Sequence, residues 1–351
     1  VTYITKPAAR HPKVRANALG LTPRDYEGSM STLCAGCGHD SVTAALIQAF
    51  WEIDLEPHRL AKLSGIGCSS KTPTYFVNDA HGFNAVHGRM PSIAVGANAA
   101  NRDLLYVGIS GDGDSLSIGL GQFCHAIRRN VNVLYVLENN GVYGLTKGQF
   151  SASADVGSKA KGGEVNLQVP IDAVTLALTL GATFVARSFS GDKAQLVPIL
   201  KAGMKHRGFA FVDVISPCVT FNDHKGSTKS YAHTREHMHE VVHTDFVPLR
   251  TEITADYAEG SVKTVAMHDG SLVKLRKVDD SYDPTDRGAA MEYLGEAASR
   301  REIATGLLYL DESGKDMHGF ENTVDEPLVS LRYEELCPGS AALDELQKEW
   351  R

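Results

Sequence analysis

The sequence predicts an α/β protein with a doubly wound, mostly parallel sheet, and three features carry that expectation. Residues 104–138 run through an apolar strand, a glycine-rich turn, an amphipathic helix and a second apolar strand. Such a βαβ unit implies parallel neighbours joined by a right-handed crossover. The rhythm returns in ATFVARS, KAQLVPILKAGMKH and GFAFVDVIS between residues 182 and 216, as in a sheet covered by helices. The chain's 351 residues, 43% apolar and 22% charged, supply an ordinary globular core.

Residues 1–30 are polar and carry Pro and Gly, and they read as an extended arm. After Gly38, HDSVTAALIQAFWEI spaces Val42, Leu46 and Phe50 along one helical face. LAKLSGIG follows as a short strand ending on Gly65, Gly67 and Cys68, and residues 91–100 read as a second helix. LLYVGIS is a buried strand that ends at GDGDS. From Ser117 to Arg129, Leu120, Phe123, Cys124 and Ile127 form a helical stripe, and VNVLYVLE returns as a strand. Past residue 220 the texture changes: residues 221–290 are rich in His, Asp, Thr and Lys and read as covering segments and helices. ATGLLYLD is the one strand expected near the end. The predicted organisation is an arm (1–30), an α/β domain (31–225) and an irregular covering extension (226–351).

A net charge of −7 offers no electrostatic case for nucleic acid or an anionic membrane. The start, VTYITKPAARHPKVRAN, has basic residues with no apolar run behind them, so no secretory signal is read there. No stretch is apolar for long enough to span a bilayer. The expected compartment is the cytoplasm, where disulfides are rare. Six cysteines then point toward metal ligation: Cys34, Cys37, Cys68, Cys124, Cys218 and Cys337.

In a parallel sheet, ligands bind beyond the carboxyl ends of the strands. Asp112, within Gly111-Asp112-Gly113-Asp114, ends one strand of the βαβ unit, and Asn140, within Glu138-Asn139-Asn140, ends the next. The crossover puts both on one sheet edge, and a carboxylate beside an amide oxygen suits Mg²⁺ with phosphate and water as its other ligands. The glycines let the backbone approach phosphates, and the following helix offers its N-terminal N–H groups. The spacing is not G-x-G-x-x-G and no G-K-[ST] follows, so two other nucleotide-binding readings fail.

Cys34-Ala-Gly-Cys37 is a C-x-x-C on a tight turn. Cys68 ends a strand between glycines, and Cys218 lies just beyond GFAFVDVI. Four thiolates so arranged would serve a [4Fe–4S] cluster or a structural Zn²⁺. Cys124 falls on the apolar helical stripe and reads as core; Cys337 reads as a bystander.

Together, CAGCGHDSV, SGIGCSSK, HGR, GDGDSLSIGLG, AIRRN and ENNGVYGLTKGQ resemble the successive motifs of the β subunits of 2-oxoacid:ferredoxin oxidoreductases, over residues 10 to 225 and more faintly to the end. The resemblance implies a sheet of the thiamine-diphosphate-binding type with a cluster-binding N-terminal segment. It implies that Cys34, Cys37, Cys68 and Cys218 ligate a [4Fe–4S] cluster, and that Asp112, Asn140 and the Val142 carbonyl hold Mg²⁺. Ile66, Gly67, Cys68 and Ser69, with His87, Gly113, Asp114, Gly144 and Leu145, would line thiamine diphosphate. Leu145 would be an apolar wedge beneath the bent cofactor, and Lys71 would meet the carboxylate of the 2-oxoacid. Where the family often continues GQ-x-S with Pro and Thr, this chain carries Ser151-Ala152-Ser153, so the loop after Gln149 departs from the pattern.

The implied reaction is oxidative decarboxylation of a 2-oxoacid with coenzyme A, electrons passing through the cluster to a separate ferredoxin. No glutamate falls in a motif for activating the aminopyrimidine. The resemblance assigns that group to an α subunit, in an (αβ)₂ assembly, and implies that this chain alone is inactive. Length and arm look closer to the 2-oxoglutarate enzymes, which make succinyl-CoA, with pyruvate as the alternative. A non-oxidative thiamine enzyme would leave four ordered cysteines unexplained. A zinc-stapled binding subunit would leave the Asp112–Asn140 pair unexplained.

Overall fold

The structure, a computed structural model, describes residues 14–160, 162–247, 262–266, 272–277, 282–337, 339–348 and 350. Six strands form a parallel core: β1 (Leu60–Ser64), β2 (His81–Asn84), β3 (Leu105–Gly111), β4 (Val133–Asn139), and, after a two-stranded hairpin β5 (Val142–Tyr143) and β6 (Gln149–Phe150), β7 (Phe184–Phe189) and β8 (Phe209–Ile215). Their order across the sheet is β2-β1-β3-β4-β8-β7, each neighbour parallel. β4 and β8 are buried along their whole length. Such continuously buried, largely apolar strands are what a sheet covered on both faces requires.

The helices are α1 (Gly38–Glu52), α2 (Met90–Ala100), α3 (Leu120–Arg128), α4 (Ala173–Leu180), α5 (Lys193–Lys205), α6 (Tyr231–His237) and α7 (Arg287–Ser299). Val42, Leu46 and Phe50 of α1 are fully buried, as their spacing predicts. Asp172 and Asp192 cap α4 and α5, each carboxylate accepting a first-turn N–H. The expected helix at 117–129 begins later: Gly113–Ile118 forms a π-turn and α3 starts at Leu120. Phe123 of that stripe packs edge-on against Tyr135 and Phe211, with ring centres 5.2 and 5.3 Å away. Cys124 is half-buried on the same helix.

Two regions depart from the sequence reading. Residues 1–13 of the arm lie outside the described residues. Residues 22–29 are packed and not extended: Tyr26 is fully buried, and the N–H groups of Gly28 and Ser29 donate to the carbonyls of Tyr75 and Thr74. The texture of residues 221–290 points to covering segments, yet the structure draws three strands from them: β9 (Met238–Val247), β10 (Val262–Ala266) and β11 (Leu272–Lys277). With β12 (Ile303–Leu310), they extend the sheet beyond β7 in the order β12-β9-β11-β10, mostly antiparallel. An antiparallel extension needs apolar residues only where it packs. Val241, Val242 and Phe246 bury themselves while His243, Thr244 and Asp245 part the valines from the phenylalanine, so no long apolar run marks β9. Among the described residues no helix is long and apolar enough to cross a membrane.

Candidate functional site

The strand order reverses at β1 and β3: the chain winds outward from β1 to β2 and then returns to place β3 on the other side. The crevice at such a switch point is where open α/β sheets bind ligands. Here the loops after β1, β3, β4 and β8 carry Gly65–Cys68, Asp112–Asp114, Asn140 and Ser216–Cys218.

β3 and β4 pair in register with Gly111 opposite Glu138, so Asp112 and Asn140 project from adjacent strand ends. Asp112 is 1% exposed, and its Oδ2 accepts from the Gly141 N–H at 3.0 Å, from Ser153 Oγ at 2.5 Å and from Ser151 Oγ. Among the described residues it has no cationic partner, and a buried carboxylate without one is costly. Asn140 Oδ1 accepts the Val142 N–H at 3.0 Å, and its amide nitrogen faces His39 Nε2 at 3.4 Å. One carboxylate oxygen, one oriented amide oxygen and the adjacent backbone make a hard-oxygen donor set that fits Mg²⁺.

His39, from the first turn of α1, sets the orientation of that amide. Its Nδ1 lies 2.6 Å from Ser216 Oγ and 3.4 Å from Glu138. Burial pushes its pKa down to about 4, so the ring is neutral near pH 7. A proton on Nδ1 leaves Nε2 to accept from Asn140, an assignment that follows from the partners. Burial likewise raises Glu138 well above the usual carboxylate range, and both its oxygens lack a hydrogen-bond partner among the described residues.

Asp114 anchors the other side. His87 Nδ1 lies 2.6 Å from its Oδ1, the Gly88 N–H donates to that oxygen at 2.9 Å, and Ser110 Oγ donates to Oδ2 at 2.9 Å. Gly113 has no Cβ because the ring of Tyr143 occupies that place, 2.4 Å from where one would lie; the Tyr143 hydroxyl donates to the Gly113 carbonyl. Ser69 is buried under Gly111, while Ile66 and Gly67 are half-buried beside it.

The cysteines gather at the same edge. The Cys37 N–H donates to the Cys34 carbonyl, closing the turn, and the next N–H, from Gly38, reaches Pro217. Thr220 Oγ1 lies 3.4 Å from Cys34 Sγ. Cys68 and Cys218 flank Gly144, whose absent methyl would lie 3.4 and 3.7 Å from their sulfurs. Burial pushes the Cys37 thiol up to about 12, and burial together with neighbouring cysteines raises Cys68 and Cys218. Among the described residues no group of three or more His, Cys, Asp or Glu side chains is gathered closely enough to hold a metal ion. Lys71 stands near enough to Cys68 to oppose the rise of its thiol. Leu145 is 46% exposed at the turn between β5 and β6, so it is not core packing. Cys337 is exposed, away from this group in sequence and among short C-terminal helices.

A family profile described as thiamine pyrophosphate enzyme, C-terminal TPP binding domain, matches residues 65–214. The "2-oxoglutarate synthase subunit KorB" of Methanocaldococcus jannaschii is 36% identical over 54% of this chain and 69% of its own length. The chain belongs to the β subunits of the 2-oxoacid:ferredoxin oxidoreductases. A solved 2-oxoglutarate:ferredoxin oxidoreductase from Magnetococcus marinus, with 2-oxoglutarate, coenzyme A and succinyl-CoA bound, matches this β subunit with a TM-score of 0.70 and 30% identity, over 92% of this chain and 98% of that one. The "2-oxoacid:ferredoxin oxidoreductase subunit beta" of Saccharolobus solfataricus is 43% identical over 54% of this chain, and the match spans 63% of that relative's length. The "2-oxoglutarate oxidoreductase subunit KorB" of Mycobacterium tuberculosis is 42% identical over 54% of this chain and 51% of its own length.

Several residues that build the site escape motif reading. His39 and Glu138 sit inside quoted motifs, yet only burial reveals them as the polar floor under Asn140. Ser151 and Ser153 stand in the segment that departs from the family pattern, and folding brings them onto Asp112. A hydroxyl 39 or 41 residues from its carboxylate leaves no local spacing signal.

Proposed function

We propose that this β subunit, with a companion α subunit, converts 2-oxoglutarate and coenzyme A to succinyl-CoA and carbon dioxide, passing electrons to ferredoxin. One observation carries the reading: the oxygen donors Asp112 and Asn140 and the thiols of Cys34, Cys37, Cys68 and Cys218 meet at one sheet edge. The Val142–Phe150 hairpin lies between the two sets, since Val142 follows Asn140 closely and a Cβ on Gly144 would lie 3.4 and 3.7 Å from the sulfurs of Cys68 and Cys218. The succinyl-CoA held by the Magnetococcus marinus relative supports the substrate choice.

Asp112, Asn140 and the Val142 carbonyl would hold Mg²⁺, which binds the diphosphate. Ser69, His87, Gly113 and Asp114 would line the cofactor, and the four cysteines would hold a [4Fe–4S] cluster. When bound, thiamine diphosphate supplies carbanion-stabilising chemistry and the cluster supplies one-electron transfer. Lys71, close enough to Cys68 to act on its thiol, would receive the substrate carboxylate. Asp114 fixes the ring of His87 through Nδ1, and Nε2 would be the nitrogen offered to the cofactor. The β subunit offers no assigned carboxylate for the aminopyrimidine, so the α subunit must provide it, and an (αβ)₂ complex in the cytoplasm is the working form.

The test is co-expression of both subunits without oxygen, followed by iron and labile sulfide analysis and assay with coenzyme A, a viologen dye or ferredoxin, and either 2-oxoglutarate or pyruvate. About four iron and four sulfide per β chain, with turnover of 2-oxoglutarate only in the complex, is expected. Zinc without sulfide would overturn the electron-transfer reading. Activity from the isolated β subunit would overturn the division of labour, and preference for pyruvate the substrate.

A further inference from the structure

We propose that Ser151 and Ser153 are positioning residues: with the Gly141 N–H they clamp Oδ2 of Asp112 and so turn its other oxygen toward Mg²⁺. The inference rests on the magnesium reading above and goes beyond it, because neither serine is itself a metal ligand.

All three bonds to Asp112 converge on the same oxygen. No donor among the described residues reaches Oδ1, which is the atom left to take a cation. A carboxylate held at one oxygen by charge-assisted bonds loses its freedom to rotate. Ligating carboxylates are oriented by such outer partners, and losing one typically costs 10–100-fold in metal affinity.

The clamp is itself braced. Ser153 Oγ also lies 2.8 Å from Asn139 Oδ1. One hydroxyl has one proton, and the ionised Asp112 is the stronger acceptor. Asn139 donates through its amide nitrogen to Asp213 Oδ1 at 3.1 Å, and Asp213 Oδ2 accepts from Arg187 Nε at 3.0 Å. The same guanidinium reaches Asp172 at 2.5 Å, the carboxylate that caps α4. Asn139, beside Ser153, is thus held by β8, β7 and the cap of α4. On the other side, Ser151 closes the β5–β6 hairpin, its N–H donating to the Gly141 carbonyl at 3.3 Å. Both serines are almost wholly buried, so neither hydroxyl has solvent as its reason for being polar.

The test uses the co-expressed complex, stripped of metal and titrated with Mn²⁺ in the presence of thiamine diphosphate, free Mn²⁺ being read by paramagnetic resonance. Mn²⁺ takes the same oxygen donors as Mg²⁺. Ser151→Ala and Ser153→Ala should each raise half-saturation about tenfold, with the melting temperature of the metal-free complex falling by only about 2–4 °C. Ser153→Thr, which restores the hydroxyl, should return it to within about twofold of wild type. Alanine variants that bind like wild type would overturn the clamp, as would a threonine variant as weak as alanine. Where Ser153→Ala yields no folded complex, Ser151→Ala is judged by the same limits. Asp112→Asn separates the two levels. Undiminished Mn²⁺ binding by that variant overturns the magnesium reading itself. Binding lost there and unchanged in both serine variants overturns the clamp alone.

Discussion

Replacing Gly65 by alanine would put a methyl carbon 1.9 Å from Oδ2 and 2.8 Å from Cγ of Asp114, a separation that non-bonded atoms do not sustain. Gly65 directly follows the paired strand β1, so the side chain of Asp114 must give way. That carboxylate is buried and accepts from Gly88 and Ser110 beside its contact with His87. A hydrogen bond to a charged group contributes about 1.5–3 kcal/mol, so losing two of them costs about 3–6 kcal/mol. Against a total stability on the order of 5–15 kcal/mol the loss is large, and it corresponds to a fall in melting temperature of roughly 4–8 °C for a chain of this size. The assay is denaturant unfolding of Gly65→Ala, Asp114→Ala and the double variant. If the clash is the cause, Gly65→Ala adds less than about 0.5 kcal/mol once Asp114 is alanine, and nearly all its cost appears as coupling energy. Costs that add within about 0.5 kcal/mol in the double variant would refute the reasoning.

Arg187→Leu strands the buried Asp213 and should cost about 3–5 kcal/mol by the same assay. Burial raises the Asp213 pKa even with Arg187 beside it, and without the guanidinium it rises further, so protonation relieves the stranded carboxyl; the deficit should shrink as pH falls toward 4, and a deficit that grows on acidification would count against this. Gly144→Ala should leave the polypeptide stable, because its methyl meets the sulfurs of Cys68 and Cys218 at ordinary contact distances. That methyl would occupy the space beside both, so iron and labile sulfide per chain should fall well below wild type; full loading would show that the cluster lies elsewhere. In cluster-free protein at pH 8, Cys37 should be alkylated by iodoacetamide more slowly than the exposed Cys34 and Cys337, because burial pushes its thiol up to about 12. Mass spectrometry over a pH series should show the Cys37 rate rising about tenfold per unit, and a flat profile would contradict it.

By itself the sequence determined the parallel core and one edge of the site. Largely apolar runs of strand length such as VLYVLE and FAFVDVI read as strands buried on both faces, and the observed β4 and β8 lie within a residue or two of the expected bounds. GDG and NN end paired strands, so the meeting of Asp112 with Asn140 followed from local pattern and one crossover. Tertiary structure alone decided the rest, because the deciding interactions join residues far apart in sequence. β9 hides its apolar residues among histidines and acids, and only the neighbours it finds in β12 and β11 make it a strand. Asp112 meets Ser151 and Ser153 because the β5–β6 hairpin returns the chain to Gly141, beside Asp112, and His39 meets Asn140 because α1 starts against the loop after β8. A hydroxyl or an imidazole looks the same in a sequence whether it faces water or a buried carboxylate. Burial is what turns it into part of the site.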